Sequence, residues 1–299
     1  MVDCRCTGCA VVRAACDFRC SRCEVTTVPD LPAEHVAVDG RGPAVLLCSG
    51  LGGNWFDWDG VVHLLSSERQ VIRSDRPGYG LNPPAAEVPS IRGEVERLRR
   101  LMHELTLRGP TIVVGHSLGG LYAEALARTH PSLVGGVVLV DGSVPTPSRT
   151  ALSPDCRDSI AQTLAGLLVG SGVPTLVPTA HRLLIGSVRE SGSSRSEVAA
   201  TVLRGRSYIR ALLREYAAYP RLVADLMEIR GSAPLLGPAL VIAADSGRAF
   251  PSSARWIRMQ RRAARELRAE CVVLTPARHH LMVDRAADVA GLIRSAGSK

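Results

Sequence analysis

The chain of 299 residues contains one lysine, Lys299, and few aromatics, with Phe, Trp and Tyr together at 4%. Every other basic residue is an arginine. The net charge of +8 therefore reflects an arginine bias of the kind a GC-rich coding sequence produces, and it says little about partners. With no interior lysine, a phosphate-binding loop ending in Gly-Lys-Ser/Thr is excluded. Hydrophobic residues at 46% and charged residues at 21% exclude a disordered tail and a collagen-like or coiled-coil rod. The longest uncharged stretch, Ser159 to Ala180, is interrupted by Gly166, Gly170, Gly172, Pro174 and Pro178. It reads as a buried or substrate-facing helix rather than a membrane span of about 20 apolar residues. The first 30 residues carry Asp3, Arg5, Arg13, Asp17, Arg19 and Arg22, leaving no secretory apolar core of about 7 to 15 residues. A cytoplasmic protein without stable membrane insertion is expected.

Cysteine is scarce except at one end. Six of nine, Cys4, Cys6, Cys9, Cys16, Cys20 and Cys23, fall at the N-terminus. Cys6-x2-Cys9 and Cys20-x2-Cys23 offer four thiolates, but their separation is shorter than the usual spacing of about 15 to 20 residues in a zinc site. A disulfide framework needs an oxidising compartment that nothing else in the sequence suggests. The leading expectation is an irregular Cys/Arg-rich segment over 1–28, read through from upstream DNA, with Val25 or Val28 as the natural start. Cys48, Cys156 and Cys271 are expected to be reduced, partly buried small hydrophobes.

From Pro29 onward, short β-rich apolar runs alternate with helical patterns, the signature of a parallel sheet with crossover helices. The runs are Ala44–Cys48, Val71–Ser74, Thr111–Val114, Val137–Val140, Ala239–Ala243 and Cys271–Leu274, while Ile91–Leu107 and Leu118–Thr129 have helical spacing. The alternation lapses over 146–232, where leucines recur at helical intervals. The expected organisation is an α/β core over 29–145 and 233–299, with a helical insertion between. Arg255, Arg258, Arg262 and Arg265 share one helical face, read as solvated; without aromatic interleaving, no nucleic-acid partner is expected.

Chemistry concentrates at Gly115-His116-Ser117-Leu118-Gly119-Gly120, between a strand-like run and a helical one. The string G-x-S-x-G is weak evidence alone, and a Gly-rich turn with Ser117 as helix cap would explain it blandly. Its strand-to-helix context adds weight, because a tight turn there presents the serine hydroxyl at a helix N-terminus.

Together with three further motifs, the chain resembles the serine-nucleophile α/β-hydrolase family over roughly Pro43 to Ala296. Ser49-Gly50-Leu51-Gly52-Gly53, followed by Trp55 and Trp58, resembles the family's His-Gly-x-Gly-Gly loop, with Ser49 in place of His. Asp75-Arg76-Pro77-Gly78-Tyr79-Gly80 resembles its Asp-x-x-Gly-x-Gly turn. His279-His280-Leu281-Met282-Val283-Asp284-Arg285 resembles its catalytic-histidine segment, with Arg278 and Ala286 replacing a Gly and a Pro. The resemblance implies a mostly parallel, doubly wound sheet with a helical cap inserted over the site. It implies Ser117 as nucleophile, His279 as base with His280 the alternative, and the Leu51 and Leu118 N–H groups as oxyanion donors. Gly50, Gly52 and His116 are expected to line the substrate site. For the acid, Asp245 and Asp141 both remain open: family register places Gly247 where the Asp usually falls, and some members carry the acid after the earlier strand. The implied activity is hydrolysis of an ester or similar acyl bond of a small, lipophilic substrate, without metal or organic cofactor. Serine at the elbow argues against dehalogenase and epoxide hydrolase chemistry, which use a carboxylate there. Lactonase, thioesterase, perhydrolase and carbon–carbon bond hydrolase chemistries stay open, as does a noncatalytic ligand binder.

Overall fold

The computed structural model describes residues 24–26, 34–107, 109–146, 150–184, 193–248 and 251–296. The strands are β1 (Glu24–Thr26), β2 (Val36–Asp39), β3 (Ala44–Cys48), β4 (Gln70–Ser74), β5 (Thr111–His116), β6 (Val134–Val140), β7 (Ala239–Ala244) and β8 (Glu270–Leu274). They form one sheet in the order β1-β2-β4-β3-β5-β6-β7-β8. β1 and β2 pair antiparallel with their neighbours, and all pairs from β4 to β8 are parallel.

Because side chains alternate along a strand, the uninterrupted apolar runs of β3, β5 and β6 feed two cores at once. Ala44, Leu46, Cys48, Val113, Val137 and Leu139 face one cluster, which includes Leu98, Leu101, Leu121 and Leu126 from α2 (Ile91–Glu104) and α3 (Gly119–Thr129). Val45, Leu47, Ile112, Val114, Val138 and Val140 face the other, with Val61 and Leu65 of α1 (Asp59–Leu65) and Val289 and Ile293 of α10 (Ala286–Ala296). α2 starts where Ser90 caps it, its hydroxyl accepting from the Gly93 N–H.

Residues 154–232 carry α4 (Pro154–Gly170), α5 (Val177–Leu184), α6 (Ser193–Arg204) and α7 (Arg206–Ser232), and no described residue between β6 and β7 is in a strand. Ala165, Ala199, Val202, Leu203, Tyr208 and Ile209 from these helices form a third cluster with Phe56 and Tyr79 of the core. α8 (Pro251–Glu266) and α9 (Leu281–Asp284) complete the α-helices in the described residues.

Three expectations need correction. Glu24–Thr26, inside the segment read as irregular, pairs with Val36–Val38 as an edge strand; backbone pairing with an open sheet edge requires little of a sequence. The readings on Cys4 to Cys23 lie outside the described residues. Cys156, expected to be partly buried, is exposed in the first turn of α4. The apolar run in α4 is largely exposed at Ile160, Leu164 and Leu167, since the helix buries its small Ala161 and Ala165 instead. Among the described residues, no helix is long and apolar enough to cross a membrane, and no cluster of His, Cys, Asp or Glu could hold a metal ion. The arginines at 255, 258, 262 and 265 are exposed.

Candidate active site

Chain connectivity places the site. After β3 the chain crosses to β4 on one side, then returns to form β5 on the other side. The carboxyl ends of β3 and β5 therefore flank a crevice at a topological switch point, where open α/β sheets bind ligands. The Ser49–Gly53 loop leaves β3 there, and Ser117 follows β5.

Ser117 adopts φ +49°, a left-handed conformation that a non-glycine residue rarely takes. The bend is held on both sides: the Ser117 N–H donates to the Val140 carbonyl at 3.2 Å, and the Ser143 N–H donates to the Ser117 carbonyl at 2.9 Å. It is also packed too tightly for side chains. A Cβ on Gly119 would sit 2.3 Å from the Cys48 carbonyl oxygen, and one on Gly50 would sit 3.0 Å from the Ser117 Cβ. These close approaches bring the β3 loop, the serine and the start of α3 together.

The imidazole of His279 bridges this bend to β6. Its Nε2 lies 3.0 Å from Ser117 Oγ, and its Nδ1 lies 2.6 Å from Asp141 Oδ2. A carboxylate at Nδ1 requires the proton there, which leaves Nε2 free to accept from the serine hydroxyl. Asp141 is buried, and its other oxygen accepts from the Ala244 N–H at 2.9 Å and from Trp256 Nε1 at 2.8 Å. Asp245 is placed differently. Its carboxylate accepts from the Gly247 N–H at 3.2 Å and from the Thr275 hydroxyl at 3.1 Å, closing a turn between β7 and α8. Gly247 itself is left-handed at φ +70°.

Two more histidines pack around His279, one tilted and one edge-on. His116 is buried, 4.7 Å from the His279 ring between centroids, and its Nε2–H donates to the His279 carbonyl at 3.0 Å. It supports the histidine loop from beneath rather than lining an open surface. Burial, then the neighbouring His279 and His280, push its pKa well below the ordinary histidine range. His280, 5.1 Å from the His116 ring, is pushed down to about 4, by burial first and by His279 second.

At the loop after β3, Ser49 stands where the related motif has His. Its hydroxyl accepts from Trp58 Nε1 at 3.0 Å, so an indole holds this corner. The Gly52 carbonyl accepts from the Tyr208 hydroxyl of α7 at 2.9 Å. Among the described residues, neither the Leu51 nor the Leu118 N–H donates to a protein oxygen, and both N–H groups belong to the segments that meet at Ser117. Behind the loop, Arg76 and Glu215 form a buried ion pair with an N–O distance of 2.6 Å. Sequence reasoning did not single out Glu215 or Trp256. Both are polar groups on long helices, and their neighbours become visible only when the insertion and α8 fold back onto the sheet.

A family model described as the alpha/beta hydrolase family matches residues 45–292, and the chain belongs to that family. The pimeloyl-[acyl-carrier protein] methyl ester esterase of Aeromonas hydrophila is 33% identical over 131 residues, covering 42% of this chain and 50% of the esterase. The chain spans between about a third and a half of the length of the curated relatives it matches. Solved structures share the fold, and two serve as examples. Cfl2 of Burkholderia cenocepacia has a TM-score of 0.71 at 19% identity, over 91% of this chain and 94% of that one. The epoxide hydrolase CorEH has a TM-score of 0.67 at 16% identity, over 89% and 94%.

Proposed function

We propose that the protein is a serine hydrolase that cleaves an ester or similar acyl bond of a small, lipophilic substrate through an acyl-Ser117 intermediate. The observation that carries this reading is the contact series from Ser117 Oγ through His279 to Asp141, at 3.0 and 2.6 Å. In the proposed cycle His279 Nε2 takes the Ser117 proton as Oγ attacks the substrate carbonyl, and Asp141 stabilises the imidazolium that forms. The developing oxyanion sits between the Leu51 and Leu118 N–H groups. His279 then protonates the leaving group, and a water deprotonated by the same nitrogen releases the acid. An ester is the favoured bond because the Aeromonas hydrophila relative carries that activity in its name. The lipophilic preference is supported by the insertion's exposed Leu164, Leu167 and Leu176.

The test is labelling with a fluorophosphonate, which phosphonylates an activated serine with loss of fluoride. Wild-type protein should label, the adduct should map to Ser117, and Ser117→Ala should abolish it. Folded wild-type protein that does not label would favour a noncatalytic ligand binder and refute the proposal.

A further inference from the structure

We infer that Arg76 aims and polarises the Leu51 N–H, acting as a positioning residue for the oxyanion hole, and that Glu215 of α7 ties this device to the helical insertion. The inference rests on the acyl-transfer reading above.

A peptide unit is planar and trans, so the carbonyl of one residue and the N–H of the next point in opposite directions. The Gly50 carbonyl and the Leu51 N–H belong to one such unit. That carbonyl oxygen accepts from Arg76 Nη2 at 2.7 Å and from the Gly53 N–H at 3.0 Å. The preceding carbonyl, of Ser49, accepts from Arg76 Nη1 at 2.6 Å. With both oxygens pinned on the guanidinium side, the Leu51 N–H is fixed on the opposite side. A Cβ on Gly50 would sit 2.8 Å from His116 Nδ1 and 3.0 Å from the Ser117 Cβ, so the aimed unit adjoins the proposed nucleophile. A cation on the carbonyl oxygen also draws electron density from the amide, which makes its N–H a stronger donor.

The guanidinium is itself held on every edge. Arg76 Nε donates to Glu215 Oε1 at 2.6 Å and Nη2 donates to Oε2 at 2.8 Å. Glu215 further accepts from the Tyr79 hydroxyl at 2.9 Å and the Tyr122 hydroxyl at 3.2 Å. The Tyr79 and Tyr122 rings flank the guanidinium at 5.0 and 5.6 Å. Arg76 is 6% exposed and Glu215 is 2% exposed. An ion pair this buried is a weak source of stability, because desolvating both charges offsets most of their attraction. An apolar pair would fill the space as well, but it could not hold two carbonyl oxygens. A lysine would supply the charge as a single point and lose the planar fork. Since Tyr208 of the same helix also donates to the Gly52 carbonyl, α7 grips the loop at two places. Displacement of the insertion would therefore turn the proposed oxyanion donor.

The experiment compares wild type, Arg76→Lys and Glu215→Gln, each counted by end-point fluorophosphonate titration so that kcat refers to competent sites. The second readout is Ki for a trifluoromethyl ketone. Ser117 Oγ would add to its carbonyl carbon, His279 would take the serine proton, and the carbonyl π pair would become an alkoxide in the hole. Arg76→Lys should lower kcat about ten- to a hundredfold, less than the loss of a whole donor, with KM within about threefold of wild type. Ki should rise in proportion to the fall in kcat/KM, and Glu215→Gln should shift both in the same direction by a smaller factor. If Arg76→Lys does not fold, Glu215→Gln decides alone. A folded variant with wild-type kcat and Ki, or one altered only in KM, overturns the inference. Wild-type protein that fails to label overturns the acyl-transfer reading and the inference with it, whereas labelled wild type beside unaffected variants overturns the inference alone.

Discussion

Asp141→Asn should be the most damaging isosteric change on an acidic residue, and the local hydrogen bonds dictate why. Asp141 Oδ1 accepts from two donors that cannot reverse, the Ala244 N–H and Trp256 Nε1–H. An asparagine must keep its carbonyl oxygen there, which turns its NH2 toward His279 Nδ1. That nitrogen would have to become the acceptor, so the imidazole proton moves to Nε2 and faces Ser117 Oγ, where an acceptor is needed. The backbone adds no confounding strain: Asp141 is left-handed at φ +44°, a region that asparagine tolerates well. Reversal of the tautomer in a serine hydrolase costs about 10⁴ in kcat, or about 5 kcal/mol of transition-state stabilisation. Asp245→Asn loses only turn contacts to Gly247 and Thr275, so its kcat should stay within about twofold. Steady-state hydrolysis of p-nitrophenyl acetate by both variants, with melting curves to verify folding, measures the difference. A larger loss in Asp245→Asn, or equal small losses in both, would refute this assignment of the acid.

Gly119→Ala should destabilise the fold, because the new methyl would meet the Cys48 and Ser49 carbonyl oxygens at 2.3 and 2.6 Å, and backbone yields less than a side chain. An overpacking cost of about 1 to 3 kcal/mol corresponds to a fall of at least about 2 °C in Tm by differential scanning calorimetry; an unchanged Tm would mean that the β3–α3 approach is looser than described. Asp75→Asn tests a buried carboxyl that desolvation raises from 3.8 to about 7, opposed by the Trp55 N–H and Arg76. Its raised value means that the wild type loses stability as pH climbs from about 4 through about 7. The Tm difference between variant and wild type should therefore grow in the variant's favour over that window, by the equivalent of about 3 to 5 kcal/mol, then level off. A difference independent of pH would place the Asp75 titration elsewhere.

The parallel core was legible because its strands are buried on both faces, and such strands read as unbroken Val, Ile and Leu runs. Ala44–Cys48 was read with the bounds it has, and the other five runs were each extended by one to three residues. β2 was not read. Val36–Asp39 is four residues long and sits in the antiparallel part of the sheet, where two valines and an alanine carry no distinctive period. The buried half of the α4 reading failed for a different reason: an uncharged segment was taken to need cover by other protein, whereas surfaces of folded proteins retain much apolar area. The buried apolar positions of α4 are Ala161 and Ala165, on a helix that packs against α7, and that packing is a tertiary property.

Residues at the site were legible in proportion to how locally their geometry is made. Ser117 is held by a turn whose glycines lie within two residues of it, so the string that announces the bend also builds it. His279 could be selected from an adjacent pair only through family register: both rings pack on His116, and it is the His279 ring that reaches Ser117 and Asp141. The acid was ambiguous because β6 and β7 are parallel neighbours ending side by side, with Val140 opposite Ile242. Each strand is followed by an aspartate near the same end of the sheet, so strand order alone cannot choose between them. The proposal takes Asp141 because of what each carboxylate meets: Asp141 turns in toward His279 with Trp256 fastening it from α8, while Asp245 accepts from Gly247 in its own turn and from Thr275. Trp256 lies 115 positions from Asp141, and no local pattern encodes that meeting. The same holds for Arg76 and Glu215, 139 positions apart. A site assembled at strand ends thus exposes its proposed nucleophile in the sequence, because a bend is local chemistry, and conceals the groups that orient it, because their partners arrive only with the completed fold.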